Sequence, residues 1–384
     1  MMKKFLALLL TLCLLMSVTS FASAEGGTIM WLSNLSSGIQ YDVYKAYAEA
    51  ICDQLGYKFT IVYGDMYNDA AGNLTAVQNG MTSDMVGIVV SEDGGVDAIM
   101  DAYPELYVAG FATDMNSVFG EGGASASVLE KDHFLGTICD GFADGANMGN
   151  QYFDAVVEKG YKRISIVNFP GYAYPNQTAA VAAFLARLEE YNAAAAEPIT
   201  LVGDPLTLEF QPLPDSYFLE DGMDDLDCIV SFCAGILFVY PTMINAKMSG
   251  FCREDTKIIT GGFDDNADII ADIGDDKTIS WIAFAPDEDM AYALVLLDNA
   301  INGKLPADFA VERVDSEPYI IDSTEDIENV MTKAMCGTRD ISLAQISVDE
   351  VVSICGRNNP DFTFANLKDL FHSEQITVDA LKNR

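Results

Sequence analysis

Positive charge and histidine are scarce in this chain. Its 384 residues hold 21 Lys and Arg against 58 Asp and Glu, and the only histidines are His133 and His372. The formal net charge of −37 makes a field that repels phosphate backbones and anionic lipid, so no nucleic-acid partner is expected. Two histidines leave little material for a His-based catalytic triad or a structural zinc site. The P-loop and nucleophile-elbow patterns are both absent, and nothing singles out a pair of catalytic carboxylates. An enzyme is therefore not expected, nor is a cofactor or a metal. Apolar runs long enough to span a bilayer, which takes about 20 residues, are missing too. The longest, residues 5–16, falls short.

That run has another use. Lys3-Lys4, the apolar stretch and then Ala22-Ser23-Ala24 form the tripartite pattern of a secretory signal peptide. Export is expected, with cleavage near Ala24 and a mature protein in the periplasm or outside the cell. Losing Lys3 and Lys4 would take the net charge from −37 to −39, which favours solubility. Leu10-Thr11-Leu12 ahead of Cys13 lacks the small residue of a lipidation site, so no lipid anchor is read. Seven cysteines then remain, from Cys52 to Cys355, an odd number in mostly apolar patterns. A complete disulfide framework is not expected.

The length suits two domains. Apolar strands at 28–32, 57–63, 85–90 and 106–111 alternate with helical patterns at 41–55, 69–79 and 96–102. That rhythm predicts a parallel, doubly wound sheet covered on both faces. A Gly- and Ser-rich segment at 112–126 reads as a crossing. The rhythm restarts with a helix at 136–159, strands at 163–168, near Thr200, at 228–232, 258–263 and 278–284, and helices at 176–191, 235–248 and 287–302. A returning strand is read at 318–321. Residues 347–384 read as a helical extension with no assigned role.

The section from 257 to 303 resembles the closing part of sugar-type periplasmic binding proteins of the first structural class, which share their fold with Lac-repressor-type effector domains. The resemblance rests on Gly262-Phe263-Asp264 at a strand end and on the turn Ala283-Phe284-Ala285-Pro286. It extends over about 28–321 and implies an α/β fold: two doubly wound parallel-sheet lobes joined by a hinge. The implied division is 1–24 signal peptide, 25–132 with 285–316 as first lobe, 133–284 with 317–346 as second lobe, and 347–384 as extension.

The resemblance also implies site residues. It places Asn34, Gln40 and Tyr41 at the opening polar and aromatic positions, Ser91 where the family has asparagine, and Asp264 at the family aspartate. Asn176 stands where a sugar-clamping arginine would fall, Phe232 replaces part of an Asn-Asp pair, and Phe284 replaces a cleft glutamine. With Tyr172 and Tyr174 from the Pro-Gly loop, the cleft is expected to be aromatic and apolar, suited to a flat or deoxygenated ligand. Asp264 also reads as a cap for the next helix. The segment from Asp264 to Asp275 superficially matches a calcium loop, but Ile269 replaces the required glycine and Asp275 the glutamate. The expected role is the substrate-binding component of an ABC-type importer, a monomer whose partners are a small-molecule ligand and a membrane permease. A sensory module feeding a membrane receptor is the alternative.

Overall fold

A computed structural model describes residues 26–64, 68–120, 122–139, 142, 145–372 and 375–384. The expected signal peptide lies outside these residues.

Two sheets organise the chain. The first contains β1 (Thr28–Ser33), β2 (Lys58–Tyr63), β3 (Met85–Val90), β4 (Tyr107–Phe111), β5 (Phe134–Cys139) and β12 (Arg313–Asp315), in the order β12-β5-β4-β3-β1-β2 and parallel throughout. The second contains β6 (Arg163–Asn168), β7 (Thr200–Leu201), β8 (Leu206–Thr207), β9 (Cys228–Ser231), β10 (Lys257–Gly261), β11 (Ile279–Phe284) and β13 (Tyr319–Ile321). Among the described residues its pairs are parallel except β13, which runs antiparallel against β11. The fold is thus two α/β lobes.

Two expectations are corrected. Residues 136–159 are not one helix: β5 comes first, and helix α4 begins at Gly145 (Gly145–Glu158). Phe134-Leu135-Gly136-Thr137-Ile138-Cys139 is buried at every position, and a short apolar run of this kind suits a central strand better than a helix turn. The first lobe accordingly extends past 132. The segment at 112–126 is not a crossing but a loop returning to β5, with a short helix at Asn116–Phe119. The strand β12, paired with β5, went unread because only three residues carry it.

Helices cover both lobes. On the first lie α1 (Ile39–Leu55), α2 (Ala70–Gly80) and α3 (Val96–Ala102); on the second lie α4, α5 (Pro175–Ala194) and α6 (Tyr240–Met248). Close approach of α4 to α5 depends on glycine. A Cβ on Gly149 would sit 2.3 Å from the Ala180 carbonyl oxygen, and one on Gly145 equally close to that of Asn176.

Helix α7 (Asp289–Ile301) is buried along its whole length from Asp289 to Ala300. A helix apolar all round needs cover on every side. One side meets β3, β4 and β5. The C-terminal segment covers another, through α10 (Val348–Ile354) and α11 (Phe364–Phe371), with Phe371 edge-on to Tyr292. Arg357 pins this cover to the buried Asp298 carboxylate, donating from Nε at 3.1 Å, and lies over the Tyr57 ring.

Between the two sheets the chain crosses three times, after β5, β11 and β12. Ser316 knots them together. Its backbone N–H donates to the Cys139 carbonyl at 2.6 Å and its hydroxyl to Asp289 Oδ2 at 2.7 Å.

Candidate ligand cleft

In a parallel sheet the loops that gather functional groups follow the C-terminal strand ends. Here one guanidinium marks where the two sets of strand ends meet. Arg339 Nη1 stands 2.7 Å from Asp265, beyond β10, and its Nε donates over 3.3 Å to Asp42, in the first turn of α1. The end of β10 and the start of α1 are therefore within one side chain's reach. Trp31, Tyr44 and Phe111 of the first lobe also share an apolar cluster with Phe263 and Phe284 of the second.

On the first lobe, Gly38 starts α1 with φ +101°, a conformation open to glycine. It sets Gln40 and Tyr41, both half-buried, on the opening turn, with Asn34 half-buried ahead of them. Tyr41 stacks on Trp31 at 5.7 Å between ring centres. Ser91 is buried, and its hydroxyl accepts the Trp31 indole N–H at 2.7 Å. Its role is to fix the ring on which Tyr41 lies. Two further buried acids follow. Asp93 accepts from Asn68 Nδ2 and from the Ser117 backbone N–H, both at 2.6 Å, and Glu92 accepts from Asn73 at 3.1 Å. They tie the β3, β4 and α2 loops into one hydrogen-bonded rim, and sequence reading missed them.

The second lobe presents rings. Tyr172 is 78% exposed and Tyr174 half-buried. Phe169 lies 5.5 Å from Tyr174, 5.0 Å from Phe210 and 4.9 Å from Phe238. Gln177 accepts the Phe169 backbone N–H at 2.8 Å, so the start of α5 holds this loop. Phe210 adopts φ +55°, a strained backbone for a bulky residue. Nothing periodic around it signals a role; only the fold brings it to Tyr172 and Tyr174.

Two expected cleft residues are core. Phe232 is 2% exposed and stacks on Tyr152 at 4.8 Å, and Phe284 is 3% exposed and stacks on Phe263 at the same distance. Strand alternation explains both. Phe232 follows Cys228 and Val230 onto the α4/α5 side, and Phe284 follows Ile282 onto the opposite face of the sheet. Asn176 is half-buried at the start of α5, where its Oδ1 accepts from the Gln177 N–H at 2.9 Å. Asp264 is half-buried and accepts the Asn266 N–H at 2.7 Å; Asn266, not Asp264, caps the helix that follows.

Behind the cleft the hinge is acidic and dry. Asp287, Glu288 and Asp289 are each at most 1% exposed. Burial, then the charge of Glu288, pushes the Asp287 carboxyl well above its usual range. Burial also raises that of Glu288, although the Gln345 N–H (2.6 Å) and the Tyr319 hydroxyl (3.2 Å) donate to it.

No protein-family model matches the chain, and neither does any curated protein. Solved structures do. A solute-binding protein of an ABC transporter from Burkholderia graminis C4D1M, in complex with D-arabinose, is 14% identical with a TM-score of 0.58, over 79% of this chain and 97% of that one. A carbohydrate transporter from Acidothermus cellulolyticus 11B, in complex with myo-inositol, is 15% identical with a TM-score of 0.56, over 82% and 99%. A periplasmic binding protein/LacI transcriptional regulator from Alkaliphilus metalliredigens QYMF, complexed with D-xylulofuranose, is 18% identical with a TM-score of 0.54, over 77% and 97%. The fold is that of the type I periplasmic binding proteins.

Proposed function

We propose that this chain, on its type I binding-protein fold, is the exported substrate-binding component of an ABC-type importer. It captures a small sugar-like or flat-ringed molecule by closure of the two lobes and delivers it to a membrane permease. The observation that carries this reading is the pairing of unlike cleft faces: a hydrogen-bonded rim with Tyr41 on one lobe, and the Tyr172, Tyr174 and Phe210 rings on the other, with Asp264 beyond β10. A ligand that touches both faces does so only when they close, so binding shifts the population toward the closed form. Rings suit the C–H faces of sugars as well as flat bases, and the carboxylate accepts hydroxyl donors. No covalent step is needed, and the protein acts as a monomer without cofactor.

The neighbours' ligands make sugars and cyclitols the first compounds to test. Thermal denaturation against D-arabinose, myo-inositol, other pentoses and hexoses, nucleosides and aromatic acids should show a hit. Ligand at 100 times its dissociation constant adds about 2.7 kcal/mol. A panel with no shift would overturn the reading. A sensory module would use the same cleft, and capture by a receptor ectodomain rather than a permease would favour it.

A further inference from the structure

The segment after Ile321 is fastened to both lobes and to the hinge. On the first lobe, the Tyr47 hydroxyl of α1 donates to the Ile346 carbonyl at 2.5 Å, and the Gly356 N–H donates to Asn299 of α7 at 2.6 Å. On the second, α8 (Thr324–Lys333) and α12 (Val378–Lys382) pack beside β13, and Lys382 pairs with Asp326 at 3.0 Å. At the hinge Gln345 holds Glu288. Arg384, the last residue, donates to the Leu343 and Ala344 carbonyls at 2.7 and 3.1 Å, closing the segment on itself.

We propose that this segment is an interlobe strap and that Arg339 is its latch, holding the cleft at its present aperture by pairing one carboxylate from each lobe. The inference rests on the cleft reading above. Asp42 adjoins Tyr41 and Asp265 adjoins Asp264, so the latch positions the two loops that carry candidate ligand contacts. A planar guanidinium fork can serve two carboxylates at once, which a lysine ammonium matches poorly. Arg339 also has φ +58° at the C-terminal end of α9 (Met335–Thr338), a place where glycine is the ordinary choice. Arginine is held there against local backbone strain, which its two ion pairs offset. The Arg339 and Asp42 side chains are about half exposed and Asp265 less so, at 48%, 51% and 28%. Such pairs are weak and yield to salt. The strap therefore biases the aperture without locking it.

The test needs no ligand. Small-angle scattering of the full chain at low salt should give a larger radius of gyration for Arg339→Gln and for Asp265→Asn than for the wild type, with Arg339→Lys between. Salt at about 1 M, where screening reaches within roughly 3 Å, should move the wild type toward the variants and leave the variants in place. Arg339→Gly separates latch from packing: it relieves the left-handed strain, so its melting temperature should hold or rise while the radius still grows. Equal radii for all proteins at both salts would overturn the proposal. So would an Arg339→Gly protein that melts lower as it expands, because Arg339 would then be a packing residue. Failure of the importer reading would appear separately, as an absence of ligand shifts.

Discussion

The two cleft faces are built by different means. The first-lobe face is set by buried acids: Asp93 accepts from Asn68 ahead of α2 and from Ser117 after β4, Glu92 accepts from Asn73 within α2, and Ser91 fixes the ring beneath Tyr41. The second-lobe face is set by ring-on-ring contact around Phe169, with Tyr172 standing out to solvent. Buried charge-assisted hydrogen bonds are directional and costly to leave half-made, so the first face holds its shape without a ligand. Ring contacts tolerate rearrangement, so the second face can adapt. In the proposed closure, one face is pre-organised and the other desolvates the ligand.

Substitutions can break this contrast. Asp93→Ala strands the Asn68 amide and the Ser117 N–H and should cost about 3 kcal/mol of stability, measured by urea denaturation. A cost under about 1 kcal/mol would mean that the rim is not held by that carboxylate. Asp264→Ala removes a charged acceptor, and affinity for whichever compound the thermal screen identifies should fall by about 10- to 100-fold in calorimetry. Tyr172→Ala should lower that affinity by about tenfold while moving stability by no more than about 0.5 kcal/mol, since the ring is exposed. Equal stability losses in Asp93→Ala and Tyr172→Ala would erase the distinction between the faces.

The hinge gives the smallest effect, and it is read through pH. A carboxyl whose folded pKa lies above its unfolded value binds more protons in the folded state, so its contribution is present at low pH and lost as pH rises through the folded pKa. Asp287 and Glu288 are both raised, chiefly by burial. Melting temperature should therefore climb as pH falls from neutral toward the ordinary carboxylate range near about 4. Asp287→Asn, neutral throughout, should flatten that slope and melt higher than the wild type at alkaline pH. An unchanged slope would show that general charge repulsion, not the hinge, sets it.

Much of the fold was legible in order and period. The runs at 85–90 and 163–168 are strands at those residues, and α3 spans 96–102 as its pattern predicts. Continuous apolar runs between turn signals specify buried parallel strands locally. Misreadings came where the local signal was ambiguous or brief: β5, a short, wholly buried run that periodicity alone does not separate from a buried helix segment, and the three residues of β12. Tyr41 opens α1, Tyr172 and Tyr174 lie between β6 and α5, and Asp264 follows β10, the positions that the sequence pattern predicts for them. Phe232 and Phe284 misled because a strand end and a cleft differ only by which way one residue points.

The sequence by itself determined the two-lobed α/β plan, the acidic composition and the scarcity of histidine, since these follow from composition and local periodicity. Only the tertiary structure decided which aromatic rings are core, that Phe210 packs beside Tyr172 and Tyr174, and that Arg339 lies between Asp42 and Asp265. Those residues are far apart in the chain, and their contacts are set by how sheets, helices and the C-terminal segment stack, which no local pattern encodes.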